Sequence, residues 1–298
     1  MKGVVVAIPK DLDLAEYIGK KGTTNGITFF NRKANGIAIT ALMPTDISEK
    51  YYAVAQAIML ANAVVLSSKS IDVLFGESLI ASALLGKQVI LVDEAGEEEK
   101  AKAEKMLEDS GANYKTIKKE SLLEAIASLE VKENGDKRID IDRAFPVNGV
   151  GDVALGIVTS GRVSKHDTLF HSSGREVLIR SIQIQDEDVD EAEQGTRVGI
   201  ALKGITYKEI EKGDVLASSR VAPAKEFLAK IDFSKFAKRQ EAMRCMLVYN
   251  FSASIANLAK QGEDYAVKLE KQIPISSGSR FLLVGDEPPR IFAVGFVK

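Results

Sequence analysis

The chain has 298 residues, 45% of them hydrophobic, and a net charge of −2, enough for a buried core divided over two or three domains. It contains one cysteine and two histidines, which excludes an internal disulfide and argues against a histidine-built metal site or catalytic triad. No apolar run reaches the length of a membrane span, and the short apolar segment after Met1-Lys2-Gly3 lacks the form of a secretory signal, so a cytoplasmic protein with no membrane partner is expected.

The first 130 residues alternate strand-like and helix-like patterns. Val4–Ile8, Ile37–Leu42, Ala63–Leu66 and Gln88–Val92 are unbroken apolar runs suited to strands buried on both faces. Helices are predicted over Ser48–Ala61, with Ser48 as N-cap, over Glu97–Asp109 ending at Gly111, and over Leu122–Leu129 behind Ser121. This alternation implies a mostly parallel sheet covered on both sides. The polar run Lys132–Arg138 marks a boundary, giving a first domain over 1–136. From there to 219, alternating apolar residues broken by Gly, Asp and Ser read as a small antiparallel barrel. A second barrel is predicted over 220–298, with strands at Glu226–Asp232, Met243–Phe251, Tyr265–Ile275, Phe281–Val284 and Ile291–Val297. Cys245, among Met243, Met246, Leu247 and Val248, reads as a buried strand residue.

Charge is unevenly placed. The stretches before Arg138, over Arg138–Ser219 and from Arg220 onward carry about −3, −4 and +5. A basic last third on an acidic protein suits a polyanionic partner, although solvated surface lysines explain it equally. Within it, Arg220–Arg244 interleaves seven basic residues with Phe227, Phe233 and Phe236, and Lys235, Lys238 and Arg239 cluster at an apparent bend where an RNA backbone could run.

The words of the middle domain carry a resemblance. Ile139-Asp140-Ile141-Asp142-Arg143-Ala144-Phe145, then Gly149-Val150-Gly151, Gly195-Thr196-Arg197-Val198-Gly199 and Ile210-Glu211-Lys212-Gly213-Asp214-Val215-Leu216 follow one another in that order. They resemble the second domain of translational GTPases of the elongation factor Tu type, above all the selenocysteine-specific elongation factor. Arg280–Val284 followed by Pro289–Phe296 is similar to the end of that family's third domain, and Leu14–Arg32 resembles an archaeal group of paralogues of the selenocysteine factor. The resemblance implies a GTPase-like α/β domain followed by two β-barrels, archaeal origin, a role in translation, and tRNA or the ribosome as partner, with no DNA.

It also implies a GTP site, and the residues for one are absent. A phosphate-binding loop needs G-x-x-x-x-G-K-[ST] after the first strand. Here the chain reads Ile8-Pro9-Lys10-Asp11-Leu12-Asp13-Leu14, with no glycine, one amide lost to Pro9, and two carboxylates beside the phosphate position. Met43–Ser48 stands where the family has D-x-x-G, and Asp93-Glu94-Ala95-Gly96 where it has N-K-x-D. The expectation is a protein without GTP or Mg²⁺ as cofactor, without catalytic residues and without a metal site.

In the resembling factors a pocket on the second domain receives the terminal adenosine and aminoacyl group of tRNA. Position by position, the matching residues are Asp142, Arg143, Phe145 and Arg197. Asp142 and Phe145, three apart, face opposite sides of a regular strand, so a shared site requires a bend or bulge near Ala144-Phe145-Pro146. Leu155 replaces a pocket threonine, and six carboxylates among residues 186–193 would repel RNA unless directed away. Simple ion pairs at a barrel rim around a core phenylalanine are the other reading of these residues. Three functions stay open: a non-catalytic translation-factor-like protein that binds tRNA or the ribosome, a protein-binding scaffold, and an atypical factor with slow GTPase activity.

Overall fold

The computed structural model describes residues 2–131 and 135–298. The predicted boundary run Lys132–Arg138 lies partly outside these described residues, at 132–134.

The first domain follows the order β1 (Lys2–Ala7), α1 (Leu12–Ile18), β2 (Lys20–Thr24), β3 (Ile27–Ala34), β4 (Ile37–Pro44), α2 (Tyr52–Leu60), β5 (Ala63–Ser67), α3 (Val73–Leu85), β6 (Gln88–Asp93), α4 (Glu97–Ser110), β7 (Tyr114–Lys118) and α5 (Leu122–Ala127). Its seven strands lie in the order β2-β3-β4-β1-β5-β6-β7. β4, β1, β5, β6 and β7 are parallel, as their unbroken apolar sequences imply, whereas β2, β3 and β4 form an antiparallel meander that was not expected. The helix at α2 begins at Tyr52, not Ser48, and the residue before it supplies no side-chain cap. The segment 47–49 is a turn. α4 ends as predicted, with Gly111 in the left-handed region. One face of the sheet, with α1 and α5, buries Val4, Val6, Ile8, Phe30, Ile90 and Ile126.

The middle domain contains β8 (Arg138–Val147), β9 (Gly151–Ser160), β10 (Arg162–Ser164), β11 (Thr168–His171), β12 (Glu176–Ile184), β13 (Glu187–Val189), β14 (Glu191–Glu193), β15 (Arg197–Lys203) and β16 (Val215–Ala217). Pairings β8–β9–β15–β12–β11–β16–β8 close a six-stranded barrel, with β13 added at β12 and β10–β14 forming a separate ribbon. Inward residues such as Ile139, Ile141, Ile179 and Ile200 form its core. The third domain is a second closed barrel of β17 (Ala224–Phe233), β18 (Ala242–Tyr249), β19 (Ser252–Gln261), β20 (Asp264–Ile273), β21 (Arg280–Val284) and β22 (Ile291–Val297). Cys245 is buried in β18, where loss of hydration pushes its thiol up to about 12.

The two barrels meet the first domain differently. The core under α2 and α3 runs on without interruption into the third domain, joining Ile58 and Leu79 to Val248, Phe251, Leu282 and Ile291. Glu77 of α3, almost fully buried, accepts the Arg290 and Ile291 amides at 2.5 and 2.8 Å, and Gln56 donates to the Phe251 carbonyl at 2.7 Å. The contact with the middle barrel is made at backbone distance. A Cβ on Gly3 of β1 would lie 2.5 Å from the Gly195 carbonyl carbon, and Gly195 itself sits at φ +84° against the Gly3 carbonyl. Apolar contact there is small: Ile157 of β9 joins the first domain's core and Ala38 of β4 the barrel's.

Candidate functional site

At the carboxyl ends of the parallel strands, where open α/β sheets place ligands, the chain closes over itself. After β1, Asp11 turns back to cap α1, accepting the Leu14 amide at 2.9 Å. Lys10 reaches across to Asp72 at 2.5 Å, and Asp72 also caps α3 through the Phe75 amide at 3.0 Å. Further along the same crest, Glu94 is held by Lys69, Lys119 and Ser67, and Asp93 by Lys118 at 2.6 Å. The space between Pro9, Lys10, Ser67 and Asp72 amounts to about 10 Å³. A larger cleft, about 430 Å³, lies between the first and third domains and is lined by Tyr51, Tyr52, Arg244, Met246 and Arg290.

The residues matched to a pocket on the middle barrel lie at its contact with the first domain. β8 has a bulge between Ile141 and Arg143, opposite Gly156 and Leu155 of β9, so the irregularity falls earlier than Ala144-Phe145-Pro146. The extra residue turns Asp142 and Arg143 to the same outer side while Ile141 and Ala144 keep to the core. Asp142 lies 3.7 Å from Arg143 Nε and 3.8 Å from Arg197 Nη2. These three are therefore brought together. Phe145 lies half-buried further along β8, opposite Val153, and the ring at the cluster is a different one: the Arg197 guanidinium stacks 3.5 Å over Phe29 of β3.

The partners of this cluster come from the tip of the β2–β3 hairpin. Thr23 Oγ1 accepts from Arg197 Nη2 at 2.8 Å, and the Thr24 carbonyl accepts from Arg143 Nη2 at 2.5 Å. Asn25 donates its amide to the Asp142 carbonyl at 3.2 Å, and Lys212 donates to the Asn25 carbonyl at 2.8 Å. Gly26, at φ +73°, makes the turn. The Asn25-Gly26 pair was the available sequence signal for this hairpin. Thr23, Thr24, Phe29 and Lys212 had no signal, because their role arises only when two domains meet.

Burial dominates the electrostatics here. It raises the Asp142 carboxyl above its ordinary value, against the opposing pull of Arg197, Lys212, Arg143 and Asn25. It also lowers the Arg197 guanidinium and the Lys212 ammonium. Three polar atoms of the cluster have no hydrogen-bond partner: Asp142 Oδ2, Arg143 Nε and Arg197 Nη1.

Lys235, Lys238 and Arg239 are all exposed in the loop between β17 and β18, beside Phe236, whose ring lies 5.2 Å from the Lys235 ammonium. The acidic stretch 186–193 is partly neutralised, by Lys33 at Glu187 and by Arg162 at Glu191 and Glu193. Among the described residues no helix is long and apolar enough to cross a membrane.

Residues 151–217 match the family model of elongation factor Tu domain 2. The selenocysteine-specific elongation factor of Methanocaldococcus jannaschii is 34% identical over 41% of this chain, a stretch that covers 27% of that factor. In sequence, the chain is thus similar to elongation factor Tu-type factors over part of its length, the middle barrel above all. An uncharacterised protein of Methanocaldococcus jannaschii is 28% identical over 99% of both chains. In fold, the whole chain superposes on translation elongation factor SelB of Methanococcus maripaludis, bound to a GTP analogue, with a TM-score of 0.81, 21% identity and 79% of that chain covered. The fold is thus the expected one.

Proposed function

We propose that this chain works as a non-catalytic elongation-factor-like protein, binding tRNA or the ribosome without a guanine nucleotide. The carrying observation is the closed crest. A bound small molecule or nucleotide occupies a pocket of roughly 300–1,000 Å³, whereas the space behind Pro9 and the Lys10–Asp72 pair is about 10 Å³, at most one water. Asp11 and Asp13 add carboxylates at the same place, and Asp11 is committed to capping α1. The first domain owes its core to apolar packing on both sheet faces, which requires no ligand.

Titration with a fluorescent guanine nucleotide tests the first half of this reading. No binding is expected at sub-millimolar concentration, and a dissociation constant below about 10 μM, near −7 kcal/mol, would overturn it. For the second half, the exposed loop with Lys235, Lys238 and Arg239 supports contact with a phosphate backbone. With roughly three to five phosphate contacts, log K for tRNA should fall against log salt with a slope of about −2 to −4. A flat dependence, or no binding at low salt, favours a protein-binding scaffold instead.

A further inference from the structure

The hairpin tip offers the barrel cluster a set of functional groups that resembles a ligand. A hydroxyl (Thr23) sits on Arg197, a carbonyl (Thr24) on Arg143 and an amide (Asn25) on Asp142. An aminoacylated RNA end presents the same chemistry: ribose hydroxyls, an ester carbonyl and an amine. The substitution is incomplete: Asp142 Oδ2, Arg143 Nε and Arg197 Nη1 are buried without a hydrogen bond, Asp142 Oδ2 facing its two guanidiniums only at ion-pair distances of 3.7–3.8 Å. A cluster that only joins two domains gains little from burying three strong polar atoms without hydrogen bonds, because ion pairs at such distances return only part of the desolvation cost.

The element that covers the cluster is lightly held by its own domain. β2 is the edge strand of its sheet, mostly exposed, and pairs only with β3 through a register broken between Lys21 and Thr24. At its tip Thr23, Thr24 and Asn25 bond to the barrel, and the Thr24–Thr28 hydroxyl bond and the Asn25 backbone amide on the Ile27 carbonyl tie the tip to β3. Detaching residues 20–25 therefore costs the first domain no core side chain, while β3 stays anchored by its full pairing with β4.

We propose that the tip of the β2–β3 hairpin, Thr23-Thr24-Asn25, is an autoinhibitory strap that occupies the RNA-end site of the middle barrel and must lift for that end to bind Asp142, Arg143 and Arg197. The proposal rests on the reading of this barrel as an RNA-end site. It assigns to the chain a gate that acts by competition between the strap and the incoming end, and needs no nucleotide.

The test uses the full chain and the Thr23→Val/Asn25→Ala double variant, which leaves the barrel residues untouched. Losing two hydrogen bonds raises the open fraction, so aminoacylated tRNA should bind the variant about tenfold or more tighter than the wild type. Phenylglyoxal modification of Arg143 and Arg197, mapped by mass spectrometry, should be faster in the variant without RNA. On the wild type, adding aminoacylated tRNA should speed hydrogen exchange at amides 20–25 while slowing it in β8. Unchanged or weaker tRNA binding by the variant, or slower exchange at 20–25 with tRNA present, overturns the gate. If neither protein binds tRNA, the functional reading falls. The strap is then judged by phenylglyoxal alone, where equal labelling of both proteins overturns it and faster labelling of the variant supports it.

Discussion

Two clusters of charge in this molecule are built to opposite plans. At the crest of the first sheet, Asp72 stands partly exposed with Lys10 and caps α3, while the less exposed Glu94 is held by Lys69, Lys119 and Ser67 and Asp93 by Lys118. Under the hairpin tip, Asp142 is 1% exposed among Arg143, Arg197 and Lys212, its nearest cationic nitrogens at 3.7–3.8 Å. The Lys10–Asp72 pair closes a gap between loops and is screened by water, so it holds shape at small energetic consequence. The barrel cluster is desolvated without full hydrogen bonding and is gathered from three separate segments, in keeping with the proposed RNA-end site under its strap.

That contrast can be broken most forcefully at Arg197. Replacing it with Met leaves Asp142 buried beside a lost partner, and urea denaturation should show a loss of about 3 kcal/mol. Adding Asp142→Asn to that variant should recover a good part of the loss, whereas simple additivity would make the pair energetically independent.

The next effect is one of sign. Burial raises Asp142 in the folded chain above its ordinary 3.8, so the folded state binds more protons in that window. Stability attributable to Asp142 is present in acid and declines as pH rises through its folded value. Asp72 does the reverse: burial raises it, but the Lys10 bond and the Phe75 amide outweigh burial and hold it below 3.8. Its contribution is present above 3.8 and is lost as pH falls through the lowered value. Comparing Asp142→Asn and Asp72→Asn with the wild type between about pH 3 and 6 should give difference curves of opposite slope; equal slopes would make the two clusters alike.

Smaller still is the cap itself. Asp72→Ala removes the Phe75 cap of α3 and should cost about 1 kcal/mol in denaturation. Lys10→Ala removes only the exposed ion pair and should change stability by less than about 0.5 kcal/mol, an effect that vanishes in high salt.

Much of the fold was legible because its signals are local. β5 and β6 are buried on both faces and read as apolar runs, and α4 declares its end at Gly111. α1 and α3 were not read: α1 has seven residues, and α3 is apolar nearly all round with Gly76 inside, so no helical face stands out. At the site, the convergence of Asp142, Arg143 and Arg197 followed from a motif match. Its cause did not, since the bulged segment Ile141–Arg143 holds no glycine or proline and Gly156 stands on the partner strand. Phe145 was the natural aromatic choice within its own strand, yet the ring that meets Arg197 comes from Phe29, more than a hundred residues earlier. Contacts of that span are set by domain docking, which leaves no periodic trace in either segment.

The seat of Gly3 against Gly195 has a consequence for the order in which the protein is made. β1 leaves the ribosome well before the surface that covers its start, which is encoded nearly two hundred residues later. Until that stretch is synthesised, the beginning of the sheet stands unshielded, and sealing it means closing one of the longest loops in the chain. A side chain at position 3 would strike the Gly195 backbone, so this late joint tolerates no bulk, and its cost would appear as slow maturation of nascent chains before it appeared as a weaker finished protein.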